Sequence, residues 1–184
     1  MFSEKELIQR CISGEQKAQK QLYQRYAPKM WAVCLRFVKS KMEAEDVMQE
    51  GFIKVYSSLK QYNGEGSFEG WIRKTIVNTA INHYKKLCYK KNEHDIEDIT
   101  LGKNIDPGVI DSMTVRELMG VVQGLPEHYR LVFNLYVLEE YTHKEISKEL
   151  GISENTSKSQ LARARGILQK RIKKKFNIER DGIS

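Results

Sequence analysis

Proline is scarce in this chain, three residues out of 184, so little halts a helix once it has begun. Cysteine is too sparse for a disulfide framework. Cys11, Cys34 and Cys88 stand far apart with no CxxC and no Cys/His spacing, which argues against structural zinc and predicts idle thiols in a reducing compartment. No stretch approaches the roughly 18 apolar residues of a membrane span, and the opening MFSEKELIQR lacks the apolar segment of a secretion signal. A cytoplasmic protein is therefore expected. Also missing are a Ser/His/Asp set, a phosphate-binding glycine loop, metal-ligand spacing and paired carboxylates. The chain is thus expected to be no enzyme and to use no cofactor or metal. A hydrolase or transferase with an incidental basic tail would lack a site.

What is present is charge and helical periodicity. Charged residues make up 30% of the chain, the net charge is +7, and the pI near 9.2 favours a polyanionic partner. Apolar residues recur three and four apart almost throughout, which predicts an all-α fold. Helix starts of one kind recur, Ser or Thr followed three residues later by Glu or Gln. Ser3 with Glu6, Ser13 with Gln16, Ser40 with Glu43 and Thr142 with Glu145 are the expected capping boxes. Charge also divides the chain: +6 over residues 1–89, −3 over 90–112 and +4 over 113–184. The middle stretch is acidic, free of aromatics and contains Asp-Pro-Gly, so it reads as a flexible linker between two small helical domains.

The second domain carries THKEISKELGISENTSKSQLARARGILQK. Thr142 caps a short helix whose apolar side is Ile146 and Leu150. Gly151 suits the left-handed exit, and Ser153 caps the next helix. That spacing is a helix-turn-helix. Projected at about 100° per residue, the second helix turns Ser157, Leu161, Ala164 and Leu168 inward. Opposite them fall Asn155, Ser159, Ala162, Arg163, Gly166 and Lys170, with Lys158 and Arg165 flanking. Small or hydrogen-bonding residues near the start of such a helix can reach base edges, and basic ones further along can meet phosphates. A solvated basic helix is the simpler alternative, although eight basic residues against one acid over 153–176 exceed what helix pairing needs. His128 and His143 read as structural.

In the first domain, KMEAEDVMQEGFIKVYSSLK predicts a helix with Met48, Phe52, Val55 and Leu59 on its apolar stripe. Glu45, Asp46, Gln49 and Glu50 gather in its first half, which suits either the helix dipole or a basic docking partner. After a Gly-rich loop, SFEGWIRKTIVNTAINHYKK places Ile72, Ile76, Ala80, His83 and Leu87 on a core side, His83 as a buried structural histidine. Nearly opposite run Trp71, Lys74, Asn78, Asn82 and Lys85, and Val77 and Ile81 fall between the two faces. Alternating ring, cation and amide fits single-stranded nucleic acid, since rings stack on bases and lysines hold phosphates. Taken alone, Trp71 reads first as a core anchor at the helix start.

Taken in order, these segments resemble bacterial RNA polymerase sigma factors of the sigma-70 type over nearly the whole chain. The resemblance is strongest to the compact extracytoplasmic-function (ECF) subgroup. AEDVMQEGFIKVY is similar to that family's polymerase-docking segment, which assigns Glu45, Asp46, Gln49, Glu50 and Phe52 to the clamp helices. SFEGWIRKTIVNTAINHYKK resembles its promoter-melting segment, implying −10 contacts for Trp71, Lys74, Asn78, Asn82, Lys85 and Lys86. Residues 62–69 would pocket a flipped-out −10 base. The helix-turn-helix resembles the −35 reader, implying contacts from Asn155, Thr156, Lys158, Ser159, Arg163, Arg165 and Lys170. By the same resemblance the linker would thread toward the polymerase active-site and RNA-exit channel. Partners so implied are core RNA polymerase through its clamp helices and flap, promoter DNA, and an anti-sigma factor if one exists. Two residues depart from the family pattern: Ser157, where an apolar residue is usual, and Asn82, where an acid is common. The expected function is promoter recognition and DNA opening in transcription initiation. The runner-up is a stand-alone helix-turn-helix regulator, which leaves the first domain unexplained.

Overall fold

The computed structural model describes residues 2–91 and 115–175. All regular structure in them is helical, with no strand among the described residues. The chain forms two compact units, residues 1–91 and 92–184. From position 92 onward the expected linker lies outside the described residues.

The first unit comprises α1 (Glu4–Ile12), α2 (Gln16–Phe37), α3 (Lys41–Ser58) and α4 (Phe68–Lys91), with a single 3-10 turn at Leu59–Gln61 after α3. Two of its helices start as the sequence indicates. Ser3 and Ser40 each accept an amide three residues on, while Glu6 and Glu43 reach back to the cap amides. The box expected at Ser13 and Gln16 does not form. Ser13 instead closes α1, its hydroxyl donating to the Arg10 carbonyl at 2.9 Å, and α2 begins at Gln16 after an uncapped Glu15.

Helix α3 packs against both α2 and α4. Its buried stripe is therefore wider than a one-neighbour projection gives: Ala44, Val47, Gly51, Phe52 and Val55, with Leu59 just beyond, whereas Met48 is only half-buried. Gly51 marks the closest approach, because a Cβ there would overlap the Ile76 Cδ1 of α4. Helix α4 is likewise covered by two neighbours, which is why Val77 and Ile81 are buried along with Phe68, Ile72, Ile76, Thr79 and Ala80. Each large apolar side chain so enclosed contributes about 1.5–3 kcal/mol. The core stripe ends there: His83 and Leu87, expected to continue it, are half-buried. Cys11 and Cys34 are buried free thiols, pushed up by burial to about 11 and about 12, which keeps them protonated and inert.

The second unit comprises α5 (Val115–Gln123), α6 (Glu127–Phe133) widening into a π-type turn (Asn134–Leu138), α7 (His143–Leu150) and α8 (Glu154–Lys175). Val121, Val122, Leu125 and Tyr129 close over Ala164, Ile167, Leu168 and Ile172 of α8 to form its core. Fully buried Arg130 donates through Nη1 to the Gln123 and Leu125 carbonyls at 3.0 and 3.2 Å. In this way it satisfies the end of α5, where carbonyls otherwise lack partners.

Candidate functional site

Three surfaces gather the sequence-predicted residues, two on the first unit and one on the second. On α3 the capping box fixes the helix start. Partial burial pushes the Glu43 carboxyl up, but hydrogen bonds from the Ser40 and Lys39 amides and the Ser40 hydroxyl outweigh it and hold the group below its ordinary range. One turn on, Glu45, Asp46 and Gln49 are exposed along a single face. Two residues that sequence reasoning missed lie on that face, Met42 at 72% exposure and Ile53 at 67%. Their spacing from Asp46 and Gln49, four residues in each case, was the available signal. Large apolar groups left this open beside acids suit a partner that is both apolar and basic.

Two members of the expected docking set behave differently. The Phe52 ring is 2% exposed, lodged against Tyr23 and Tyr56 with centroids 4.7 and 6.2 Å away. It belongs to the core and cannot touch a partner, because it lies on the side of α3 that α2 covers. Glu50 is engaged within the unit, 2.7 Å from Lys54 and 3.8 Å from Lys86. The Lys54 hydrogen bond, against some opposing burial and with help from Lys86 and His83, keeps its carboxyl below the usual range.

The second surface begins in the loop before α4. Tyr62 donates its hydroxyl to the Gly66 carbonyl at 3.1 Å, and Asn63 Oδ1 accepts the Glu65 amide at 3.1 Å. Ser67 accepts the Gly70 amide at 3.0 Å and so caps α4. Phe68 is wholly buried between Tyr26 and Tyr62, which excludes it from any open base pocket over 62–69. Trp71 lies nearly parallel to Phe68, 12° between planes and 5.8 Å between centroids, and Tyr62 leans on it at 5.6 Å. Half-buried, Trp71 anchors on Phe68 while part of its ring stays open. Beyond it Lys74, Asn78, Asn82 and Lys86 are exposed and Lys85 is half-buried, so the ring, cation and amide strip lies along one helix.

The third surface is the helix-turn-helix. Thr142 and Glu145 form the expected box, Gly151 takes the left-handed conformation with φ 68°, and Ser147 Oγ donates to the Ile152 carbonyl. Ser153 accepts the Thr156 amide at 3.0 Å, and its hydroxyl lies 2.8 Å from that of Thr156. Leu161, Ala164 and Leu168 are buried as projected, and so is Ser157. Asn155, Lys158, Ser159, Arg165 and Lys170 are exposed and Thr156 is half-buried. Two positions projected outward are drawn in. Gly166 is buried, and half-buried Arg163 donates from Nη1 to the Tyr129 hydroxyl at 3.4 Å. Contact with α6 as well as α7 widens the buried side of α8 beyond the single stripe assumed.

Residues 22–87 match the family described as sigma-70 region 2, and residues 116–168 match sigma-70 region 4, together nearly two thirds of the chain. The ECF RNA polymerase sigma-E factor of Haemophilus influenzae is 27% identical, covering 93% of this chain and 96% of its own. The RNA polymerase sigma-H factor of Pseudomonas aeruginosa is 25% identical over 91% of this chain and 92% of its own. Among solved structures, the sigma factor RpoE in complex with the anti-sigma factor NepR from Bartonella quintana has a TM-score of 0.49 and 18% identity. It covers 88% of this chain and 98% of that one.

Proposed function

This chain belongs to the sigma-70 family, within its ECF subgroup, and is a sigma factor of transcription initiation; on that premise we propose which of its surfaces meet polymerase and which meet promoter DNA. The family binds core RNA polymerase and promoter DNA and is one of initiation factors, not enzymes. The exposed α3 face of Met42, Glu45, Asp46, Gln49 and Ile53 docks on the clamp helices of core polymerase. Lys74, Asn78, Asn82, Lys85 and Lys86 of α4, with the open part of Trp71, hold the separated −10 strand. Asn155, Thr156, Lys158, Ser159, Arg165 and Lys170 of α8 approach the −35 element, with Arg163 held from behind by Tyr129. Working beside polymerase places the protein in the cytoplasm. Among the described residues, no helix is long and apolar enough to cross a membrane. Family resemblance also admits an anti-sigma factor as a partner.

One observation carries the assignment of surfaces. Within one unit, an acidic and apolar face on α3 stands apart from a cationic and aromatic strip on α4. Opposite chemistries on neighbouring helices suit two partners at once, one a protein and one a polyanion. A stand-alone regulator would need neither.

Run-off transcription with purified core polymerase on genomic fragments tests the whole reading. Specific transcripts should appear only when this chain is added. Ile53→Lys combined with Glu45→Lys and Asp46→Lys should abolish co-elution with core polymerase while leaving the helical circular dichroism intact. Undiminished co-elution would remove α3 as the docking face.

A further inference from the structure

Ser157 is fully buried on the inner side of α8, and its hydroxyl lies 2.9 Å from His143 Nδ1 in the first turn of α7. A buried hydroxyl needs such a partner. The His143 ring in turn lies nearly parallel to Tyr136 of the π-type turn, 4.5 Å between centroids and 24° between planes. Over Tyr136 sits the guanidinium of Arg165, 5.9 Å from the ring centroid. Four residues from three segments thus make a chain that starts in the core and ends at an exposed cation on α8.

We propose that Tyr136 and His143 are positioning residues that hold Arg165 toward the promoter backbone, with Ser157 as the buried post that fixes the His143 ring. This rests on the reading of α8 as the −35 helix. A long arginine side chain on an open surface samples many rotamers, and ordering it on binding costs affinity. An aromatic face within about 6 Å attracts the guanidinium and restricts it beforehand. Neutrality of the imidazole fits this use. Burial, then the Lys158 charge, against an opposing Glu154 and with Arg165 adding, hold His143 below its ordinary range. At neutral pH the ring can therefore back Tyr136 without repelling the cation it supports. An aliphatic residue at 157 would give the His143 nitrogen nothing to bond, so the departure from the family pattern at Ser157 and the histidine fourteen residues earlier belong together.

A double-mutant cycle on the reconstituted holoenzyme tests this, using as probe a promoter fragment recovered in the run-off screen and a series of salt concentrations. Arg165→Ala should weaken binding roughly 5- to 100-fold and reduce the salt slope by about one. Tyr136→Leu should weaken it about 2- to 5-fold, and Tyr136→Phe, which keeps the ring face, should restore affinity. The pair Tyr136→Leu with Arg165→Ala should bind no worse than Arg165→Ala alone. A merely structural Tyr136 would give additive losses in that cycle, and additivity, or unchanged affinity in Tyr136→Leu or Arg165→Ala, overturns the proposal. Should Tyr136→Leu lose its helical signal, His143→Gln, which keeps a hydrogen-bonding group for Ser157, takes its place in the cycle: non-additivity with Arg165→Ala supports the proposal and additivity overturns it. Failure of the wild-type holoenzyme to bind any fragment would instead overturn the reading of α8 itself.

Discussion

A serine buried on the inner side of α8 must put its hydroxyl somewhere, and Ser157 puts it on His143. Ser157→Ala should cost the second unit about 1 kcal/mol, the net value of one hydrogen bond, in denaturation followed by circular dichroism. Ser157→Val, which replaces the hydroxyl with packing, should cost less. An alanine variant as stable as the wild type would show that water replaces the bond freely. From sequence, Ser157 reads as a slightly poorer packing residue, because a hydroxyl's partner on another helix leaves no local trace. Phe52 and Trp71 carry the same lesson in opposite directions. Phe52 sits among the expected docking residues in the sequence, yet its ring points at Tyr23 and Tyr56. Trp71, read as either anchor or base-stacker, rests on Phe68 with part of its ring open, so burial alone does not divide the two roles.

Along whole helices, the number of neighbours decides how well periodicity predicts burial. In α8 the inner residues Leu161, Ala164 and Leu168 come out as projected. Errors there are confined to Gly166 and Arg163, where a second helix adds contact. Helices α3 and α4 each touch two others, so a stripe about one third of the circumference underestimates what is covered, and Val47, Val77 and Ile81 are buried beyond it. Capping is local chemistry and was legible at three of four sites, failing only where Ser13 found the Arg10 carbonyl first. The same two-sided packing makes Gly51 a sharp test. Gly51→Ala would gain helix propensity but must displace the enclosed Ile76 side chain, so a net loss of about 1–3 kcal/mol is expected. Its readout is the midpoint of tryptophan-monitored denaturation, since both tryptophans, Trp31 and Trp71, lie in the first unit. A variant as stable as wild type would mean that Ile76 can change rotamer without cost and that α3 and α4 are less tightly apposed than their geometry shows.

For the molecule as a whole, the two units differ in how protons act on them. In the second, His128 and His143 both sit below the ordinary histidine value of 6.5, each first because burial disfavours the charged ring. Arg163 adds to this at His128 against Glu127, and Lys158 and Arg165 add at His143 against Glu154. A histidine lowered in the fold is held neutral there, while the unfolded chain takes up its proton sooner. The unfolded state then binds more protons below about pH 6.5, so the stability these groups provide is complete above that pH and is lost as pH falls through the folded value. In the first unit the lowered groups are the carboxyls of Glu6, Glu43 and Glu50, whose contribution persists until pH drops below their ordinary 4.5. Lowering pH from 7.5 to 5.5 should therefore weaken the second unit while these carboxyls keep their contribution to the first. Tryptophan fluorescence reports the first unit alone, whereas helical circular dichroism reports both. In the full chain the dichroism midpoint should move to lower denaturant at pH 5.5 and separate from the fluorescence midpoint. In a His128→Gln, His143→Gln double variant that separation should shrink. Its persistence would mean that neither histidine governs the response.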